Sequence, residues 1–248
     1  MQYLSSECRK PENFIRCAQN QMSTHYNYFS GEVEYSTELA ISKNGRYAKY
    51  KDSKILIVGG GPSANDYTWD PTLYNFVFSC NHFYLYDKLK GVPIDFAPLS
   101  PEVDVFSREF LNYLDSSDTL FCFENVDIQS NKVKFLLDRG RACIASLRLN
   151  LKVGTTIRLL IIASYFQPSE IHVIGMDGVT KEGETKGKNS HHSFQPGKPM
   201  AKTRPYETFY KEYGMIWNYL INGIGRNIRY KNLGHGHPYN VSTEFNII

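Results

Sequence analysis

The sequence predicts an α/β protein in which a mostly parallel sheet carries helices on both faces, with a Rossmann-like order of elements. Short apolar runs of strand length alternate with stretches whose apolar residues recur at helical spacing. The first run, residues 55–58, is mostly β-branched and leads into three glycines, as a fully buried strand does when it ends in a tight turn. Strands are predicted at 54–58, 75–80, 94–97, 119–123, 142–146, 171–175 and 228–231.

Composition fits one folded domain with room for a lid or an appendage. The chain has 248 residues, 42% of them hydrophobic, and a formal net charge of +3. This mild basicity allows anionic ligands but is below what a dedicated nucleic-acid binder carries. The five cysteines are scattered and show no zinc spacing, as in a reduced protein. The first residues do not resemble a signal peptide and no apolar run reaches the ~18 residues of a membrane helix, so a cytoplasmic protein is expected.

The chain is expected to divide into an N-terminal extension, residues 1–52, and a main domain, residues 53–248. The extension is rich in aromatic residues and is expected to pack on the main domain. An alternative role is an arm that recognises an acceptor, because exposed aromatic rings stack on sugars or bases. Within the main domain, residues 179–204 are polar and glycine-rich and too long for an ordinary connection. They are interpreted as a mobile lid or a disordered surface excursion.

The glycine turn after the first strand is the leading candidate for a ligand site. Glycines let a ligand approach the backbone, and the turn's amides, with the start of a following helix, favour a phosphate. The residues concerned are Gly59, Gly60, Gly61, Pro62 and Ser63. A turn without a ligand remains an alternative, as does a dinucleotide site, because Gly59-x-Gly61-x-x-Ala64 fits that fingerprint. Against the dinucleotide site, the next strand ends in Asn81 rather than an acidic residue, and Pro62 has no N–H to donate.

Further candidates follow the other strands. In parallel sheets, ligands bind beyond the carboxyl ends of the strands, so residues at these ends are expected to converge on one cleft. The hydroxyls of Thr155 and Thr156 open a predicted helix, where they either cap the helix or bind a ligand. The remaining candidates at strand ends are Asn81, Ser100, Gly175 and Asp177.

Two adjacent histidines, His191 and His192, lie inside the polar segment. A histidine pair can bind a metal, but no third ligand lies at a recognisable spacing, so a general base is favoured. Lys186 and Lys188 precede the pair and are candidates for phosphate binding. His235 and His237 form a second cluster that is interpreted as a surface loop, with a donor- or acceptor-binding role as the alternative.

Four segments, taken in order, resemble the bacterial family 42 sialyltransferases and related sugar transferases with a Gly-x-Gly-Pro-Ser turn. The resemblance covers about residues 54–232 and rests on residues 57–63 (IVGGGPS), 78–84 (FSCNHFY), 171–177 (IHVIGMD) and 189–193 (NSHHS). It implies a single Rossmann-like domain of GT-A type with a lid, working without a metal; the sequence has no Asp-x-Asp motif. It also implies that Gly59–Ser63, Asn81, the Thr155–Thr156 helix start and Gly175 hold the donor nucleotide. His192 would deprotonate the acceptor hydroxyl, with His191 as the alternative base.

The sequence also departs from this family. Gly60 and Ser100 stand where the family usually has asparagine, and the family's phosphate-binding tyrosines are missing. In their place are Val179 and a run containing Lys181, Lys186 and Lys188. Additional positive charge suits a diphosphate leaving group, so a UDP-sugar is expected alongside a CMP-sugar as the candidate donor.

The leading hypothesis is therefore a metal-independent glycosyltransferase that needs no cofactor beyond its nucleotide-sugar substrate. Its acceptor would be a glycan, a protein or a hydroxylated base in DNA. One alternative is a pyrophosphokinase-like enzyme that uses ATP and Mg²⁺, for which Asp177 and Glu102 are the obvious carboxylates. Another is a nucleotide-binding module without catalysis. The sequence leaves open whether the chain forms a homo-oligomer.

Overall fold

The computed structural model describes residues 25–27, 32–35, 45–124, 130–145, 154–177, 193–195, 213–214, 216–217 and 220–234. Near the N-terminus, β1 (His25–Asn27) and β2 (Glu32–Tyr35) pair antiparallel. The other described strands form one seven-stranded sheet in which every pairing is parallel. They are β3 (Lys54–Val58), β4 (Phe76–Ser79), β5 (Phe96–Pro98), β6 (Leu120–Glu124), β7 (Ala142–Ala145), β8 (Glu170–Ile174) and β9 (Arg229–Asn232).

The order of strands across the sheet is β7-β6-β5-β4-β3-β8-β9. All seven predicted strands are present, with ends that differ by no more than two residues, so the predicted α/β fold with a parallel sheet is confirmed. From β3 the chain adds strands outward on one side as far as β7. It then crosses back to place β8 and β9 on the other side of β3. Strand β3 therefore lies inside the sheet, where the order of strand addition reverses, and all four residues of its apolar run are fully buried.

Five α-helices are described: α1 (Gly45–Ala48), α2 (Ser63–Asp66), α3 (Arg108–Ser116), α4 (Asn131–Leu137) and α5 (Thr155–Tyr165). The side chains of Ser107 and Ser130 cap α3 and α4 by accepting from the backbone N–H groups of Phe110 and Val133. Because parallel crossovers are right-handed, the reversal of direction after β7 places α5 on the face opposite α3 and α4. Helix α5 is buried along almost its whole length.

Residues just before β3 belong to the hydrophobic core. Tyr50 is 1% exposed, and its ring makes edge contacts with Phe76 and Phe78 at centroid distances of 4.9 and 5.0 Å. Tyr47 stacks on Phe166 at 5.2 Å. This part of the extension packs on the sheet, while residues 1–24, 28–31 and 36–44 lie outside the described residues. The domain boundary at residue 52 stays a prediction.

None of the helices in the described part of the chain is both long enough and apolar enough to cross a bilayer.

A half-buried histidine lies near the amino ends of β3, β8 and β9. His172 Nδ1 is 2.8 Å from the Tyr74 hydroxyl, and its Nε2 is 3.4 Å from Glu170 Oε2. Glu170 also pairs with Lys54 at 3.5 Å and with Arg229. Burial, with the charge of Lys54 as the next cause, lowers the pKa of His172 to about 4. The folded protein therefore keeps this imidazole neutral at a pH where an unfolded chain protonates it.

This pKa predicts that stability falls as the pH falls from about 6.5 to about 4. Over that window the unfolded state binds a proton that the folded state does not, which would cost the fold about 3 kcal/mol for a fully buried group. Solvent screening of this partly exposed imidazole reduces the cost to the order of 2 kcal/mol. Urea unfolding of wild type and His172→Gln at several pH values measures the difference. The wild-type curve should drop more steeply between these two values, and parallel curves for the two proteins would contradict the assignment.

Candidate active site

The candidate site lies where the order in which the chain adds strands to the sheet reverses. From β3 the chain adds β4 to β7 on one side, and it later adds β8 and β9 on the other side of β3. In open α/β sheets, ligands bind outside the carboxyl ends of the strands at such a switch point. The glycine turn follows β3 and the Gly175 turn follows β8, so the structure brings these two predicted segments together.

The two turns are in direct contact through glycine. The N–H of Gly59 donates to Ile174 O at 2.7 Å, and the N–H of Gly61 donates to Gly175 O at 2.8 Å. A Cβ atom on Gly59 would lie 2.5 Å from Gly175 O, and Gly175 itself has a φ of +74°. The absence of side chains at these positions is therefore what allows the two strand ends to approach each other.

This contact corrects the expected role of the turn's amides. We expected them to point outward at a phosphate, but those of Gly59 and Gly61 donate inside the protein. The helix after the turn, α2, is only 4 residues long, so it supplies little dipole. Pro62 precedes α2 and is half-buried. The glycine turn therefore has a structural role, because it packs closely against the Gly175 turn.

Asp177 and Ser63 tie the turns together a second time. The N–H of Ser63 donates to Asp177 Oδ2 at 2.8 Å, and the N–H of Gly175 donates to Ser63 Oγ at 2.9 Å. Asp177 is 4% exposed. Gly234, which follows β9, packs against the same pair, since a Cβ atom there would lie 2.8 Å from the Ser63 Cβ. The carboxylate of Asp177 therefore stabilises the junction of the two turns.

Ser193 also belongs to this junction, although the sequence interpretation placed it in a polar lid. Its N–H donates to Gly60 O at 2.8 Å, and its hydroxyl donates to Gly61 O at 2.7 Å. The next residue, Phe194, is 1% exposed, and its ring lies 5.3 Å from that of Tyr86. Phe194 is the sole Phe, Tyr or Trp residue in 179–204, and that was the signal that could have identified this anchor.

Asn81 organises the other side of the site, at the carboxyl ends of β4 and β5. It adopts a left-handed conformation with a φ of +55°, which asparagine tolerates better than most residues. Its Oδ1 accepts from the backbone N–H of Ser100 at 2.9 Å, and its Nδ2 donates to Thr155 Oγ1 at 3.2 Å. Asn81 thereby links β4, the loop after β5 and the start of α5. Ser100 takes part in this link through its backbone.

The start of α5 can receive an anion. Its N-cap is Gly154, which offers no side chain, and Thr155 and Thr156 instead contact Asn81 and Cys80. The first N–H groups of a helix have no partner within the helix, and its dipole adds a partial positive charge there. Burial raises the pKa of the Cys80 thiol to about 11, so this thiol stays protonated near neutral pH. Near neutral pH the α5 start therefore presents backbone N–H groups and no thiolate.

The predicted catalytic and lysine residues lie outside the described residues. They are His191, His192, Lys186 and Lys188, and the same holds for His235 and His237. Their roles stay predictions. Among the residues that the structure describes, no three His, Cys, Asp or Glu side chains are grouped so that they could hold a metal ion.

No protein-family model and no curated protein sequence matches the chain. Solved structures do match. The monofunctional α-2,3-sialyltransferase Cst-I from Campylobacter jejuni aligns with a TM-score of 0.51 and 15% identity, covering 79% of this chain and 84% of Cst-I. Sialyltransferase CstII from the same organism, solved with cytidine-5′-monophosphate, aligns with a TM-score of 0.50 and 18% identity, covering 79% and 88% of the two chains. This chain has the fold of these sialyltransferases.

The resemblance expected from the four sequence segments is thus confirmed for the fold. At these identities the likeness establishes the arrangement of the chain and not its substrates. In this sialyltransferase fold, the described candidate residues form two groups at one edge of the sheet. The first group closes the junction of β3 and β8 and consists of Gly59, Gly61, Ser63, Gly175 and Asp177. The second group joins the ends of β4 and β5 to the start of α5 and consists of Asn81 and Thr155.

Proposed function

We propose that this protein is a metal-independent glycosyltransferase that moves a sugar from a CMP- or UDP-sugar to an acceptor hydroxyl. The observation that carries the proposal is the position of the uncapped α5 start. It lies beside Asn81 at the carboxyl edge of the sheet, in a fold shared with sialyltransferases. The neighbour CstII was solved with cytidine-5′-monophosphate, which supports a nucleotide as the ligand of this edge.

The proposed reaction is a displacement at the anomeric carbon of the donor sugar. The acceptor oxygen forms the new bond, its proton passes to a base, and the nucleotide leaves with the electrons of the broken C–O bond. The N–H groups at the start of α5 stabilise the negative charge that develops on the departing phosphate. His192 is the proposed base, with His191 as the alternative, because imidazole accepts a proton near neutral pH.

The anchoring of Ser193 supports His192 as the stronger candidate. Ser193 is held on the glycine turn by two hydrogen bonds, and His192 is its direct neighbour in sequence. Consecutive Cα atoms are about 3.8 Å apart, so the anchor restricts the reach of the preceding residue more than that of residues further away.

Activity on defined donors tests the proposal. The protein is incubated with CMP-, UDP- and GDP-sugars in the presence of EDTA, and hydrolysis of the donor without an acceptor is followed. We expect slow hydrolysis of a CMP- or UDP-sugar that EDTA does not abolish. Turnover of ATP alone, dependent on Mg²⁺, would instead support the pyrophosphokinase alternative, and nucleotide binding without any turnover would support the binding module.

Lys186 and Lys188 should discriminate between the two donor classes. If they bind a diphosphate, changing both to alanine should weaken UDP binding by about tenfold and leave uridine binding nearly unchanged. Calorimetric titration of both ligands measures this. The matched control is Lys51→Ala with Lys134→Ala, which removes the same charge from two exposed lysines elsewhere. Equal weakening of UDP and uridine would contradict phosphate binding by the pair.

A second assay determines the class of acceptor, using whichever donor the protein hydrolyses in the first assay. A glycan, a protein and DNA that contains a hydroxylated base are the three acceptor classes to compare. Transfer to one of them, and not to the other two, shows which class of acceptor the enzyme uses.

A further inference from the structure

A cleft of about 800 Å³ lies on the flank of the sheet, away from the candidate active site. One wall is the segment that precedes β5, and the other is the second half of α3. Asp95, directly before β5, and Asp118, two residues before β6, line the cleft near the amino ends of those strands. The candidate active site is at the carboxyl ends. Phe83 and Tyr84 also line the cleft and follow Asn81 closely in the chain, but none of the described candidate residues of the active site is among its lining residues. The cleft is therefore a separate feature, and its volume is within the range of small-molecule sites.

The floor of the cleft is aromatic and fixed in place. Phe83 and Tyr113 meet edge to face at 5.0 Å, and Tyr84 packs against Phe110 at 5.2 Å. The Tyr113 hydroxyl contacts the hydroxyl of Thr119. Thr119 in turn donates to the Ile94 carbonyl at 2.6 Å. Tyr84 and Tyr113 both line the cleft and are half-buried, whereas Phe83 is fully buried beneath them. A preformed floor of this kind costs little ordering on binding.

The rim of the cleft carries both hydrogen-bond donors and hydrogen-bond acceptors. Asp95, Glu109 and Asp118 supply carboxylate acceptors, and Lys49 and Lys90 supply donors. Asp95 is the most buried of these carboxylates, with 21% of its side chain exposed, and it lies 3.5 Å from Lys49. The amide of Asn112 adds one acceptor and two donors from α3.

These features together select a class of ligand. Three carboxylates and two lysines leave the rim with one excess negative charge, which disfavours a nucleic-acid backbone, since that backbone binds through its phosphates. Sugar hydroxyls both donate and accept, so a neutral sugar satisfies carboxylate, amide and ammonium groups in turn. The C–H faces of sugar rings pack on the apolar faces of aromatic side chains. We infer that this cleft is a binding site for a neutral oligosaccharide, distinct from the site of sugar transfer.

The inference does not depend on the proposed transfer activity, so binding alone tests it. Lactose, maltose and N,N′-diacetylchitobiose are each added to the full-length protein, and saturation-transfer NMR reports which of them bind. At least one should bind with a dissociation constant of about 1 mM or tighter. The variant Glu109→Ala/Asn112→Ala removes two exposed rim groups and should weaken that binding by about tenfold. Asp115→Ala, an exposed change on the same helix outside the cleft, should leave it unchanged.

Three results would overturn the inference. The first is that none of the three sugars binds wild type at concentrations up to about 10 mM. The second is that a sugar binds but the double variant binds it as tightly as wild type, which would place the sugar elsewhere. The third is that a thymidine oligonucleotide displaces the sugar, which would show that the cleft accepts a polyanion. Far-UV circular dichroism of each variant establishes whether the fold is intact, which we expect because the altered side chains are exposed.

Discussion

Replacing Gly175 with alanine is expected to destabilise the protein by at least ~3 kcal/mol, the largest loss among the single glycine substitutions considered. Two causes add at this position. Gly175 has a φ of +74°, a conformation that costs an alanine about 1–2 kcal/mol. In addition, the new Cβ would collide with the backbone of Gly59, which is held by its own hydrogen bond to Ile174 and cannot easily move.

Gly140 provides the matched control for this prediction. Its φ of +63° is similar, but a Cβ atom there would meet nothing within 4 Å. Gly140→Ala should therefore cost only the backbone strain, about 1–2 kcal/mol. Urea unfolding of both variants separates the two causes. If Gly175→Ala and Gly140→Ala lose the same stability, the contact between the two turns contributes nothing and the close-packed junction is wrong.

A nucleotide-dependent thermal shift extends the same comparison to function. A ligand that binds the native state raises its apparent melting temperature. Under the proposed function, the donor nucleotide should stabilise Gly140→Ala as much as wild type. Gly175→Ala should lose most of this shift where it still folds, because the turns that border the ligand edge have moved apart.

The fold was predictable because its signals are local. Short apolar runs, two of them rich in β-branched residues, predict the seven strands, and the helical spacing between the runs predicts the parallel sheet. The one-turn length of α2 was not predictable in the same way. Whether a helix continues after Ser63 depends on long-range ties, such as the three groups that donate to the carbonyl of Ala64 from Trp69, Tyr86 and Lys88.

The candidate site was predictable in its position and less so in its chemistry. Strand ends located Asn81, Thr155, Gly175 and Asp177 at one edge. The amides of Gly59 and Gly61 were assigned to a ligand because a glycine turn looks the same in sequence whether it faces a phosphate or another turn. Only the pairing of β3 with β8 shows that Gly175 is the partner. The burial of Ser193 was missed for a related reason, since its partners are backbone carbonyls more than a hundred residues away.

Replacing His192 with alanine is expected to lower the rate of sugar transfer by 10²–10⁴-fold, the range that a positioned general base supplies. Nucleotide affinity should change little, because the proposed donor contacts come from Asn81 and the start of α5 and not from this imidazole. Steady-state kinetics with whichever donor the hydrolysis assay identifies, together with nucleotide titration, measure both quantities. The wild-type rate should also rise with pH across the range where imidazole loses its proton, and this rise should be absent in the variant.

His191→Ala is the natural control, because it removes the adjacent imidazole and leaves His192 in place. If Ser193 fixes the nearer histidine at the ligand edge, His191→Ala should retain most of the activity. The reverse pattern, full activity in His192→Ala and loss in His191→Ala, would transfer the role to His191. Loss in both variants with unchanged nucleotide binding would mean that the pair works together, with one imidazole orienting the other. Full activity in both would exclude this pair as the source of the base and leave the proton acceptor to another part of the chain.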